Sequence, residues 1–155
     1  MTQERNPRIL IADDNAINQE LLEAYLAGQN YEIAFANDGA QTLEMVSSFQ
    51  PDLILLDVMM PKYSGFEVCE MIKGTPGLKN IMVLMITALS ELGDIERAVA
   101  AGCDDYLSKP VNKLELLKRV ENMLKIRSYS DELTRLRAYI DAMEDTGQEQ
   151  HSPKE

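Results

Sequence analysis

Ile9-Leu10-Ile11-Ala12, Leu53-Ile54-Leu55-Leu56 and the run from Ile81 to Ile86 contain no polar residue. A strand with one face in water alternates apolar and polar side chains, so runs without alternation must be covered on both faces. Two further strand-like runs, Tyr31–Phe35 and Asp105–Leu107, bring the set to five.

Helical periodicity fills the gaps. Ile17, Leu21, Leu22, Tyr25 and Leu26 recur at helical spacing and stop before Gly28, which suits a C′ residue. Ala40, Leu43 and Val46, with Met45, mark a second helix. Ser64-Gly65-Phe66-Glu67 reads as a capping box opening a third. A fourth runs from about Ser90 to Ala101 and ends at Gly102. Asn112 with Glu115 caps a fifth, which carries Leu114, Leu117, Val120, Met123 and Leu124. Strand and helix in strict alternation demand right-handed crossovers. The prediction is an α/β fold over residues 7–125, a doubly wound five-stranded parallel sheet in the flavodoxin-like order 2-1-3-4-5. An extended C-terminal helix follows it.

The strand ends carry the chemistry. The first run leads into Asp13-Asp14, the third into Asp57, the fourth into Thr87, and the fifth through Ser108 to Lys109-Pro110. In a parallel sheet these ends share one edge, and the switch point of this order lies between the first and third strands. Three carboxylates meeting there repel, so they need cations. Lys109 supplies one. A magnesium ion suits the other, since the ligands would be few and all oxygen. Such a site handles a phosphoryl group by positioning and charge neutralisation, with Asp57 as the acceptor. Taken alone, Asp13-Asp14 reads first as a polar turn capping a helix, Thr87 as a strand-end hydroxyl, and Lys109 as a surface charge. Asp57 on the adjoining strand and the places of Thr87 and Lys109 at strand ends make the site the better reading.

The net charge of −11 argues against direct nucleic-acid contact. Cys69 and Cys103 sit in apolar helical patterns and read as small core residues, as do Met59, Met60, Met82 and Met85. No apolar run reaches membrane-spanning length, and Met1-Thr2-Gln3-Glu4-Arg5 lacks a signal-peptide core. The expected location is cytoplasmic, with no membrane contact.

In these residues the chain resembles the receiver domain of two-component response regulators. The matching positions are Asp13-Asp14, the segment Leu55-Leu56-Asp57-Val58-Met59-Met60-Pro61 with Gly65 after it, Thr87-Ala88, and Lys109-Pro110, with Tyr106 three residues before the lysine. The resemblance implies that a histidine kinase or phosphotransfer protein phosphorylates Asp57. It also implies Mg2+ ligated by Asp14, Asp57 and the Met59 carbonyl, with Asp13 acting through water. Lys109 would contact the phosphoryl group, and the Lys109–Pro110 bond would be cis. Thr87 and Tyr106 would form a switch that remodels the face of the fourth helix, fifth strand and fifth helix. Apolar Met59 and Leu89, two residues after Asp57 and Thr87, imply restricted water access and a long-lived phosphoryl group.

Chemistry of the chain's own would be limited to transfer onto Asp57 and slow self-hydrolysis. The alternative is a haloacid-dehalogenase-like phosphatase with an aspartate nucleophile. That enzyme needs a second acid two residues after the nucleophile, where this chain has Met59.

Beyond the domain, Ile126, Tyr129, Leu133, Leu136, Ile140 and Met143 follow an a/d heptad pattern, with Glu132 at g and Arg137 at the next e. Residues 126–146 are therefore expected to form a helical or coiled-coil extension that pairs in a parallel homodimer, or a linker to an effector. In the family such linkers often lead to nucleotide-cyclising or phosphodiesterase domains. Residues 147–155 are polar and expected to be disordered.

Overall fold

The structure is a computed structural model that describes residues 5–88 and 92–151. Five strands and five helices alternate without exception: β1 (Arg8–Ala12), α1 (Ala16–Leu26), β2 (Glu32–Ala36), α2 (Gly39–Ser48), β3 (Leu53–Leu56), α3 (Gly65–Lys73), β4 (Met82–Thr87), α4 (Leu92–Ala101), β5 (Asp105–Ser108) and α5 (Lys113–His151). The sheet order is β2-β1-β3-β4-β5, all parallel, as the sequence predicts. Strand limits shift by a residue, because β2 is set by the pairing of Arg8–Ala12 with Glu32–Ala36.

Period two divides the core into two layers. Leu10, Ile54, Leu56, Val83 and Met85 face α2, α3 and α4, with Val46, Val68, Cys69, Ile72 and Ala98 beneath them. Ile9, Ile11, Leu53, Leu55, Leu84 and Ile86 face α1 and α5, against Leu22, Leu26, Leu116, Val120 and Met123. Cys69 is buried and Cys103 half-buried, and both are free thiols, as core residues would be. Met82 and Met85 are core, but Met59 is 64% exposed, contrary to its expected place in the interior. It follows the last β3 residue by three positions, where the chain has already left the sheet.

Caps follow the local chemistry. Asn15 and Asp38 accept from the backbone N–H groups of Asn18 and Gln41. Ser64 and Glu67 make the full capping box at α3. At α5 only half of that device forms: Asn112 accepts from the Glu115 N–H at 3.0 Å, while the Glu115 carboxylate turns to Arg119 at 3.2 Å. Gly28, at φ +87°, is the left-handed residue after the Ala27 cap of α1.

Helix α5 is continuous for 39 residues. It passes through Gly147, where the sequence reading places the start of a disordered tail, and residues 152–155 lie outside the described residues. Its inner face also differs from expectation: Leu116 is buried, whereas Leu114 is 77% exposed. No described helix is long and apolar enough to cross a membrane.

Candidate functional site

Asp57 follows β3 directly, and its backbone N–H donates to the Ala12 carbonyl at the end of β1. This bond continues the β1–β3 ladder one step past the last strand pair, Ala12 with Leu56. Asp13 and Asp57 are consequently held side by side, both buried, with Asp14 exposed beside them. One carboxylate oxygen from each of the three lies within 4.8 Å of the others.

The loop after β1 is held by side chains that the sequence reading passed over. Asn15 N–H donates to Asp13 Oδ1 at 2.9 Å. The Gln19 amide donates to the Asp13 carbonyl at 2.7 Å and to Asn37 Oδ1 at 2.8 Å, linking the ends of β1 and β2. A polar residue one turn into a helix that follows an acidic loop is the only signal the sequence offers for Gln19.

Lys109 follows β5, and its N–H donates to the Thr87 carbonyl at 2.9 Å. Its ammonium reaches back across β4 to Asp57 Oδ2 at 3.3 Å and Asp13 Oδ2 at 3.4 Å. The Lys109–Pro110 bond is cis. Thr87 ends β4 and is fully buried. Tyr106 lies opposite Met85 in β4, half-buried, and packs against the core layer that includes Ala98 and Ala101 of α4.

The loop from Asp57 to α3 is compact. Met59 N–H donates to Asp57 Oδ1 at 3.3 Å, and Gly65 N–H to the Val58 carbonyl at 2.9 Å. A side chain at position 65 has no room, since a Cβ would overlap the Asp57 carbonyl oxygen and stand 2.8 Å from Val58 Cα.

Burial pushes the Asp57 carboxyl up from its ordinary value. The Lys109 ammonium pulls it down, the Asp13 carboxylate pushes it up again, and the Met59 N–H favours the charged form. The net direction is upward. An oxygen-only cluster around a site that resists its own negative charge has the donor set of a hard, partly hydrated dication. Every residue that the sequence reading assigned to the strand edge is at that edge. Leu89, the second position expected to limit water access, lies outside the described residues.

Comparison with known proteins bears on this geometry. The family model for the response regulator receiver domain matches residues 9–121. Response regulator PleD of Caulobacter vibrioides (strain NA1000 / CB15N) is 42% identical over 126 residues, which are 81% of this chain and 28% of PleD. The DNA-binding dual master transcriptional regulator RpaA of Synechocystis sp. is 40% identical over 119 residues, 77% of this chain and 49% of RpaA. The chain thus spans half or less of the length of these two relatives. Among solved structures, the receiver domain of sensor histidine kinase PA1611 from Pseudomonas aeruginosa PAO1 holds a magnesium ion coordinated in its active-site cleft. It matches with a TM-score of 0.71 and 28% identity, covering 77% of this chain and 98% of that one. Fold, strand-edge cluster and matched residues coincide, and the chain belongs to the response regulator receiver domain family.

Proposed function

We propose that the chain is a phospho-accepting receiver of two-component signalling, with Asp57 as the acceptor. The observation that carries this reading is the cluster of Asp13, Asp14 and Asp57 within 4.8 Å, with the Lys109 ammonium 3.3 Å from Asp57. The donor is a phosphohistidine on a histidine kinase or phosphotransfer protein. An Asp57 carboxylate oxygen bonds to phosphorus as the phosphorus–nitrogen bond breaks, and the electron pair leaves on the imidazole.

Asp57 must be ionised to attack, and Lys109 and the Met59 N–H favour that state against its burial. Asp13, Asp14, Asp57 and the Met59 backbone carbonyl are the groups that would hold Mg2+, and the magnesium of the PA1611 receiver supports this. Mg2+ held there would supply charge neutralisation for phosphoryl transfer. Lys109 Nζ and the Thr87 hydroxyl take the other oxygens, with Pro110 as a structural residue beside the lysine. Slow self-hydrolysis ends the cycle. Turnover of external phosphate esters is not part of this reading, because the place of a leaving-group acid is held by Met59.

The output proposed is a change in the α4-β5-α5 face, with Thr87 and Tyr106 as its switch. Residues 7–125 form the receiver, and the helix beyond 125 is the output extension, a parallel homodimer through Ile126, Tyr129, Leu133, Leu136, Ile140 and Met143. All six are exposed in the single chain, which supports a partner for this stripe. RpaA is named as DNA-binding, but the net charge of −11 favours protein partners for these residues, in the cytoplasm.

Incubation with acetyl phosphate and Mg2+ tests the core of the proposal. Intact-mass analysis is expected to show one phosphoryl group on the wild type and none on Asp57→Asn or in excess chelator. Uptake that persists in Asp57→Asn would sink it.

A further inference from the structure

Helix α5 changes the side it buries where it leaves the domain. Leu116, Val120 and Met123 are buried at spacings of four and three, which is one stripe of a helix. The next position in that stripe is Arg127, four residues on. There an ion pair replaces the apolar contact, with Arg127 Nη1 2.9 Å from Asp52 Oδ1. Ile126, one residue earlier, points roughly 100° away around the helix and begins the exposed apolar series.

Asp52 lies at the opposite end of β3 from Asp57, and its side chain is only 7% exposed. It accepts from Arg5 Nη1 at 2.9 Å and Nη2 at 3.1 Å, and from the Arg8 backbone N–H at 2.8 Å. Hydrogen-bond donors from the N-terminal segment and β1 and the charge of Arg127 from α5 therefore meet on one carboxylate. Arg127 also reaches Asp131 on the next turn at 3.2 Å. Its Nε is buried with no hydrogen-bond partner, so the guanidinium is drawn in to place its other end on Asp52.

We propose that Asp52 and Arg127 form a joint that fixes the direction and rotation in which α5 leaves the receiver domain. A helix running out of a domain is aimed by the last positions that touch it. Beyond Arg127 the large apolar residues of α5 up to Met143 are all exposed, so none of them is buried against the domain. The carboxylate that Arg127 meets is itself buried and already held by Arg5 and the Arg8 N–H, so this ion pair has a fixed anchor that a pair between two exposed side chains lacks. With Arg127 turned to Asp52, the rotation of the stripe is set as well: Ile126 borders a hollow with Met82 and Asp104, and Leu133, Leu136 and Ile140 border one with Asn80. The joint goes beyond the phosphoryl reading and stands whether or not Asp57 is the acceptor.

Spin labels on Lys79→Cys and Arg135→Cys, both exposed positions, report the distance between domain and extension. Cys103→Ser removes a competing thiol. Cys69 can stay, because it is buried and burial pushes its thiol up to about 12. Doubly labelled chains diluted into unlabelled protein give intramolecular distances only. A narrow distribution is expected for this starting protein, and loss of the narrow peak in Arg127→Met. Asp131→Asn leaves the pair with Asp52 in place and should keep the peak. Asp52→Asn opens the same pair from the other side and should lose it. Arg127→Met changes a side chain on the helix surface, and circular dichroism checks that it folds. An unchanged peak in that variant overturns the proposal, even if Asp52→Asn fails to fold.

Discussion

At Gly65 the chain returns so close to the exit of β3 that the site has no slack. Gly65→Ala must displace the Asp57 carbonyl or Val58, and the expected cost is about 1–3 kcal/mol in urea denaturation. Phosphoryl uptake should fall with it, because the displaced backbone carries the proposed acceptor, Asp57. Lys109→Met separates charge from structure. The side chain is a quarter exposed and its ammonium pairs with Asp13 and Asp57, so the fold should survive. The rate of uptake from acetyl phosphate is expected to drop on the order of a hundredfold or more, read in single-turnover labelling. Three converging carboxylates also predict a magnesium-linked rise in thermal stability. At a hundred times its dissociation constant the ion should add about 2.7 kcal/mol, and Asp13→Asn should remove most of that gain. An unchanged melting temperature for the wild type with Mg2+ would contradict the proposed metal set.

Between elements, Asp52 ties the N-terminal segment, β1 and α5 to the start of β3, and it gives a pH-dependent prediction. Burial pushes its carboxyl up, but hydrogen bonds from Arg5 and Arg8 and the charges of Arg127 and Arg5 outweigh this. They hold it below its ordinary value of 3.8. A lowered folded value means stability that is present above the unfolded value and is lost as pH falls through the folded one. Wild type should therefore exceed Asp52→Asn in urea stability at neutral pH, and the gap should close below about pH 4. A gap that stays constant into acid would show that the carboxylate charge contributes nothing.

Five strand-helix units were legible because continuous apolar runs have few places to go but a doubly covered parallel sheet. The site was legible for a related reason. Topology puts all strand ends on one edge, so Asp13, Asp57, Thr87 and Lys109 could be brought together without knowing a single contact. Periodicity carried less about orientation. Leucines at 114, 116 and 117 span most of the circumference of α5, and only packing decides that Leu116 goes inward and Leu114 outward. The Asp52–Arg127 pair was beyond reach, since each residue alone reads as a surface charge and only the packing of α5 on the sheet brings them together. Gln19 was missed likewise, its three acceptors lying in segments that only the fold makes neighbours.

At the scale of the whole molecule, the two ends of β3 do different things. One end presents the candidate phosphoryl site and the other holds the extension. If the six exposed seam residues pair two chains, Leu133→Glu should give a monomer by light scattering under conditions where wild type is dimeric. A wild type that is monomeric both alone and with Mg2+ and beryllofluoride would exclude self-association as the output. A mass that rises only with the phosphoryl mimic, and not in Asp57→Asn, would join the two ends of the strand into one switch.

The length of α5 gives the joint at Arg127 mechanical leverage. The helix continues from there to His151, roughly 36 Å at the rise of an α-helix. A tilt of about 10° at Asp52 would sweep the far end through roughly 6 Å, more than one helical turn. Small displacements at the joint would thereby be enlarged into movements of several ångströms at the far end of the helix.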